Sequence, residues 1–347
     1  MLRPRLRCCH HRGVWTGSVF ISPLRWLRIG LFSDRPGKVL LHWYASSARQ
    51  LPWRETTDPY QIWISEIMLQ QTQVKTVLPR YRGWFELFPT LEALAASSVD
   101  DVLKAWEGLG YYRRARFIHR AAQMIVSDFE GQFPANFDDI MKLPGIGRST
   151  AGAIASFCFN QCTPVLDGNV KRVLKRWYAE PEARDKTLWL RAQQVIDGSG
   201  DPATWNQLMM ELGASLCSAK SPNCSDCPVH TFCASAFSVD VTKELRKQVP
   251  VVDVHWRIHL FTCPEKGIWL TQRPDAGIWG GLWSPPITVL DDRPDEDPTH
   301  IHQLTHRRLH LYPLQSDSDP IGDGRWVPSI EGYALPTGIH HLLDKMI

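Results

Sequence analysis

"LPGIGRSTAGAIASF", residues 143–157, packs a tight turn and the start of a helix into one short stretch. Pro144, Gly145 and Gly147 shape the turn, and the small residues after it, Gly152 and Ala153 among them, let a preceding helix pack close. Such a turn aims backbone N–H groups outward from a helix N-terminus, where they can hold one phosphate. Glycine and proline also join ordinary helix pairs, so DNA binding and a plain helical hairpin both remain open from this stretch alone.

The pattern around the hairpin is helical. From about Pro36 to Ala236 apolar residues recur at spacings of three and four with short turns between. Around Val251 the period changes. In "VDVHWRIHLF", residues 252–261, Val254, Trp256, Ile258 and Leu260 alternate with His255, Arg257 and His259, as in a half-buried strand. We therefore expect a mainly α region over 34–236, a charged linker over 237–250 that ends at Pro250, and an α+β domain over 251–347. Residues 1–33 carry Arg3, Arg5, Arg7, Arg12, Arg25 and Arg28 and no acidic residue, but Pro4, Gly13, Gly17 and Pro23 spoil an amphipathic transit helix. They read as a disordered or mis-assigned extension. Lys+Arg 39 against Asp+Glu 36 leaves a net charge of only +3, so any polyanionic partner must be held by local patches. No apolar run is long enough to span a membrane. The scattered cysteines Cys8, Cys9, Cys158, Cys162 and Cys263 suit a reducing compartment.

Chemistry is concentrated in four places. In "SEIMLQQTQ", residues 65–73, Glu66 lies among Ile62, Trp63, Ile67 and Leu69, where poor hydration should raise its pKa and keep a proton available. Gln70, Gln71 and Gln73 can pair with base edges while Leu69 wedges a stack. "VLDGNVKRVLKRW", residues 165–177, starts a basic helix behind Asp167 and Asn169. Capping alone explains both. With Glu66, however, Asp167 makes the pair of carboxylates that glycosidic cleavage uses, one protonated and one ionised. "GLGYYRRARFIHR", residues 108–120, sets tyrosines beside Arg113, Arg114, Arg116 and Arg120, which suits insertion into a base stack with phosphate anchoring; Tyr112 is expected in the core. Finally, Cys217, Cys224, Cys227 and Cys233 are separated by six, two and five residues. Only one short Cys pair is present, so an iron–sulfur cluster is preferred to a zinc ribbon, with Lys220 in its loop free to touch a phosphate.

Together with "LPWR" at 51–54 and "GIWGGLW" at 277–283, these motifs resemble the adenine DNA glycosylases of the MutY type, within the helix-hairpin-helix glycosylase superfamily. The resemblance implies a mainly α catalytic region with an iron–sulfur loop, followed by a Nudix-like domain. It implies excision of adenine opposite 8-oxoguanine or guanine in double-stranded DNA, and a [4Fe-4S] cluster on the four cysteines. Residue by residue, it makes Glu66 the proton donor, Asp167 the partner of the positive sugar, and Asn169 their orienting neighbour. Trp53, Arg54, Ser149 and Gln207 would line the adenine pocket. Leu69, Gln70, Gln71, Tyr111, Gly145, Gly147, Lys171 and Lys220 would meet DNA. Leu304, Thr305 and His306 stand where the family reads the oxidised guanine with Phe-Ser-His, so the hydroxyl is kept and the ring lost. Ser149 replaces the lysine nucleophile of endonuclease III-type lyases, which implies a monofunctional enzyme. A monomer in the bacterial cytoplasm, associated with the nucleoid and free of membrane, completes the expectation. The alternatives are an endonuclease III-like lyase and a damaged-DNA binding protein without chemistry.

Overall fold

The computed structural model describes residues 35–197, 199–238, 250–316, 319, 320 and 322–346. The expected extension 1–33 and most of the linker lie outside the described residues. The helices are α1 (Arg35–Ser47), α2 (Pro59–Leu69), α3 (Val74–Leu87), α4 (Leu91–Ala96), α5 (Val99–Ala105), α6 (Arg113–Asp128), α7 (Phe137–Lys142), α8 (Arg148–Phe159), α9 (Gly168–Trp177), α10 (Asp185–Ile196), α11 (Pro202–Ser215) and α12 (Thr337–Leu343). The strands are β1 (Val252–Leu260), β2 (Thr262–Cys263), β3 (Gly267–Gln272), β4 (Trp283–Ser284), β5 (Ile287–Leu290), β6 (His300–Gln303), β7 (Arg307–Gln315) and β8 (Gly324–Val327). The chain divides into two compact units, Met1–Glu66 with Phe133–Leu245 and Ile67–Gln132 with Arg246–Ile347.

Local chemistry explains the helix starts. Ser98 and Asp101 form a capping box on α5, Asn136 caps α7, and Asp201 caps α11. In the first unit α8 is buried along Thr150–Phe157 by small side chains, and a Cβ on Gly152 would stand 2.4 Å from the Pro164 carbonyl oxygen. Only glycine permits that approach. Leu166, Val170, Val173 and Leu174 meet Leu188, Trp205, Leu208 and Leu212 in one core. It fixes the start of α9, and with it Asp167.

The second unit joins α3–α6 to the strands. One sheet has the order β5-β1-β7-β6, with β1 and β7 parallel and the outer pairings antiparallel. β3 pairs with β2, β4 and β8 in a second sheet. The alternation expected for β1 is present, with Trp256, Ile258 and Leu260 buried against Ile339 and Leu342 of α12.

Candidate active site

In the first unit, Glu66 sits in the last turns of α2, with Ile62, Trp63, Ile64 and Ile67 buried around it on the helix. The residue keeps some exposed surface. Burial nevertheless pushes its carboxyl up to about 8, and the neighbouring Asp167 charge adds to the rise while Arg54 opposes it. Among the described residues no hydrogen bond ties the carboxyl down.

Asp167 is the N-cap of α9. It accepts from Val170 N–H at 2.7 Å and from Asn169 Nδ2 at 3.3 Å. Burial raises its pKa, whereas those donors and the Arg172 charge act downward. The donors around Asp167 favour its ionised form, and Glu66 has none among the described residues, so the two carboxyls stand in different environments. Capping and pairing are not rivals here, because the cap bonds act against the rise that burial gives Asp167.

Asn169 is held from three sides. Arg172 Nη2 donates to its Oδ1 at 2.8 Å, and a Cβ on Gly213 would lie 2.6 Å from the Asn169 Cβ. Arg172 also donates to the Gly213 carbonyl at 2.7 Å and to the Cys217 carbonyl at 2.8 Å. Arg54 lies 2.8 Å from Glu211, whose other oxygen takes Arg49 at 2.7 Å. Gln207 accepts from Tyr44 Oη at 2.8 Å, and Trp53 is buried. The Ser149 hydroxyl accepts from Leu166 N–H at 3.1 Å, which ties the hairpin helix to the strand of chain leading into Asp167.

The hairpin itself forms as expected between α7 and α8. Gly145 has φ +80°, Gly147 is the N-cap of α8, and both glycines are exposed at the start of that helix. Lys171 is 2.7 Å from Asp185, and Lys220 is exposed.

In the second unit, the Tyr111 hydroxyl lies 3.0 Å from Thr305 Oγ1, in the turn between β6 and β7 that Leu304, Thr305 and His306 make. Tyr111 is half exposed with φ +49°, and Gln71 has φ +56°. Tyr112 turns inward, where burial raises its hydroxyl to about 12. The basic stripe expected here needs correction. Arg114 is buried and bonds to backbone carbonyls instead of facing a phosphate, and Arg116 donates to the carbonyls of Gly280 and Asp275. Their positions on α6 turn them toward protein, which a linear charge pattern does not reveal.

Residues 64–197 match the HhH-GPD superfamily base excision DNA repair protein family, and residues 257–345 match the NUDIX domain. An adenine DNA glycosylase of Buchnera aphidicola subsp. Baizongia pistaciae is 39% identical over 300 residues, spanning 80% of this chain and 84% of that protein. The chain belongs to the adenine DNA glycosylase family. A human adenine DNA glycosylase is 43% identical over 215 residues, 58% of this chain and 39% of its own length. The structure of a thermostable thymine-DNA glycosylase superposes with a TM-score of 0.55 at 27% identity, covering 58% of this chain and 94% of that one.

For an adenine DNA glycosylase family member, the sequence reading omitted Glu211, Arg49, Tyr44, Arg172 and Gly213. Glu211 had a signal: it interrupts Met209, Met210 and Leu212 just as Glu66 interrupts its own apolar run. Cys217, Cys224, Cys227 and Cys233 line one cavity of about 240 Å³ with Arg176 and His230. Among the described residues no three His, Cys, Asp or Glu converge on a single metal ion. Four thiols around so large a space suit a polynuclear group. Arg176 donates to Cys217 Sγ at 3.2 Å, and its charge acts against the rise that burial gives Cys233, while burial raises Cys227 to about 11. Among the described residues no helix is long and apolar enough to cross a membrane.

Proposed function

We propose that this chain excises adenine paired with 8-oxoguanine or guanine in duplex DNA by hydrolysis, acting as a monomer and leaving an abasic site. The carrying observation is the acid pair: Glu66, raised by burial and by the Asp167 charge, and Asp167, whose cap bonds and Arg172 work against burial in favour of its anion. Glu66 gives its proton to the departing adenine, and the electrons of the C1′–N9 bond leave with the base. Asp167 balances the positive sugar or bonds to it transiently. Water then adds to C1′, and Glu66 takes up the proton that the water loses. Asn169 keeps Asp167 oriented, while Arg54, Trp53, Gln207 and Ser149 border the base.

The exposed glycines at the N-terminus of α8 support a phosphate contact. Leu69, Gln70, Gln71 and Tyr111 support the opened stack, and Thr305 with Leu304 and His306 faces the oxidised guanine. The cysteine cavity supports a [4Fe-4S] group held by Cys217, Cys224, Cys227 and Cys233. When bound, that group cross-links the loop after α11 as a structural clasp. Serine at position 149 offers no amine for a Schiff base, so no strand nicking is expected. Single-turnover assays on duplexes with adenine opposite 8-oxoguanine, guanine or thymine, with and without alkali, test the reading. Alkali-dependent cleavage at the first two supports it. Cleavage without alkali, or a covalent complex trapped by borohydride, refutes the monofunctional step.

A further inference from the structure

Arg114 is a buried cation whose ring of partners contains no acid. One guanidinium nitrogen donates to the carbonyls of Ile67 at 2.8 Å, Met68 at 3.0 Å and Gln70 at 2.6 Å. The other donates to Thr72 Oγ1 at 3.0 Å and to the carbonyls of Leu109 at 2.9 Å and Gly110 at 3.1 Å. No carboxylate pairs with it among the described residues. The first set of carbonyls ends α2 and opens the turn through Gln71, at a helix C-terminus where a cation is favoured. The second set belongs to the turn that delivers Tyr111. The guanidinium also lies over the Trp106 ring at 5.1 Å and the Tyr111 ring at 5.7 Å. Gln71 and Tyr111 both hold positive φ, a backbone state that non-glycine residues keep only when neighbours enforce it.

We propose that Arg114 is a positioning residue that locks the Leu69–Gln71 turn to the Tyr111 turn, so that both enter the base stack as one rigid tool. The inference rests on the reading that these two turns open the duplex. A planar fork is required, because a lysine ammonium cannot reach two sets of carbonyls on opposite sides. The function is mechanical: Arg114 touches no reacting atom, and its loss should hurt only substrates whose stack must still be opened.

The test compares single-turnover excision on a fully paired duplex with adenine opposite 8-oxoguanine and on one with adenine facing a one-nucleotide gap. Arg114→Lys should slow the paired substrate about tenfold, the equivalent of one or two lost hydrogen bonds, and leave the gapped one nearly unchanged. Thr72→Val, which removes one Arg114 acceptor together with that hydroxyl's own bonds to the Gln70 and Leu109 carbonyls, should give the same pattern at smaller size and covers the case in which the lysine variant folds poorly. Leu69→Ala and Tyr111→Ala test the underlying reading. If they slow the paired substrate while the Arg114 and Thr72 variants slow both substrates equally, or neither, the locking role is overturned and the loop reading stands. If Leu69→Ala and Tyr111→Ala leave the paired substrate untouched, the loop reading itself is wrong.

Discussion

The acids of the first unit and the turns of the second that we propose read the lesion are built on opposite plans. Glu66 and Asp167 sit on helix ends packed into cores, and their neighbours are charge-compensated: Glu211 takes two arginines, and Asn169 is fixed by Arg172 and by the bare Cα of Gly213. Tyr111, Gln71 and Thr305 occupy exposed turns, the first two at positive φ, and Tyr111 meets Thr305 through a single hydroxyl contact. Bond breaking needs groups whose protonation is set before substrate arrives, which burial provides. Reading needs side chains that can leave their own contacts for a base, which exposed turns allow. A substitution should therefore cost orders of magnitude in the first region and small factors in the second.

The largest expected effect follows from the acid pair. Glu66→Gln and Asp167→Asn should each lower single-turnover excision by about 100-fold to 10,000-fold while duplex affinity, measured by fluorescence anisotropy, changes little. A loss confined to affinity would erase the contrast between the regions. Next comes Glu211→Leu, which strands Arg54 and Arg49. Because Arg49 keeps water contact, we expect a loss of about 2–4 kcal/mol in denaturant unfolding, at the low side of what breaking a buried pair costs. An unchanged midpoint would show that the arginines repair themselves with solvent.

The acid pair also has a stability signature. The raised Glu66 keeps its proton in the folded chain while the unfolded chain loses it near the usual carboxylate pKa. Folded stability therefore declines as pH rises from there to about 8, and Glu66→Gln should flatten that part of the decline. Denaturant midpoints at several pH values check this. The smallest effect belongs to the reading turn. Thr305→Val removes the partner of the Tyr111 hydroxyl and should cost about 1 kcal/mol, a several-fold drop in preference for 8-oxoguanine over guanine, with adenine excision itself preserved.

What the sequence disclosed follows the same division. The hairpin, the cysteine loop, Glu66 and the alternation of β1 were legible because each is a local pattern whose period or composition carries its own physical meaning. The pairing of Glu211 with Arg49 and Arg54 was not, since those partners lie 162 and 157 residues away. The meeting of Tyr111 with Thr305 spans 194 residues and left no local trace. Arg114 was misread as a phosphate anchor because its true acceptors are backbone carbonyls, which every residue has and no side-chain pattern marks.

The most direct test of the acid pair is the pH dependence of single-turnover adenine excision from a saturated duplex. The account predicts a rate that falls above a pKa near 8 as Glu66 gives up its proton, and the loss of that limb in Glu66→Gln. A wild-type rate that stays level through pH 9, or a limb that persists in Glu66→Gln, would contradict it.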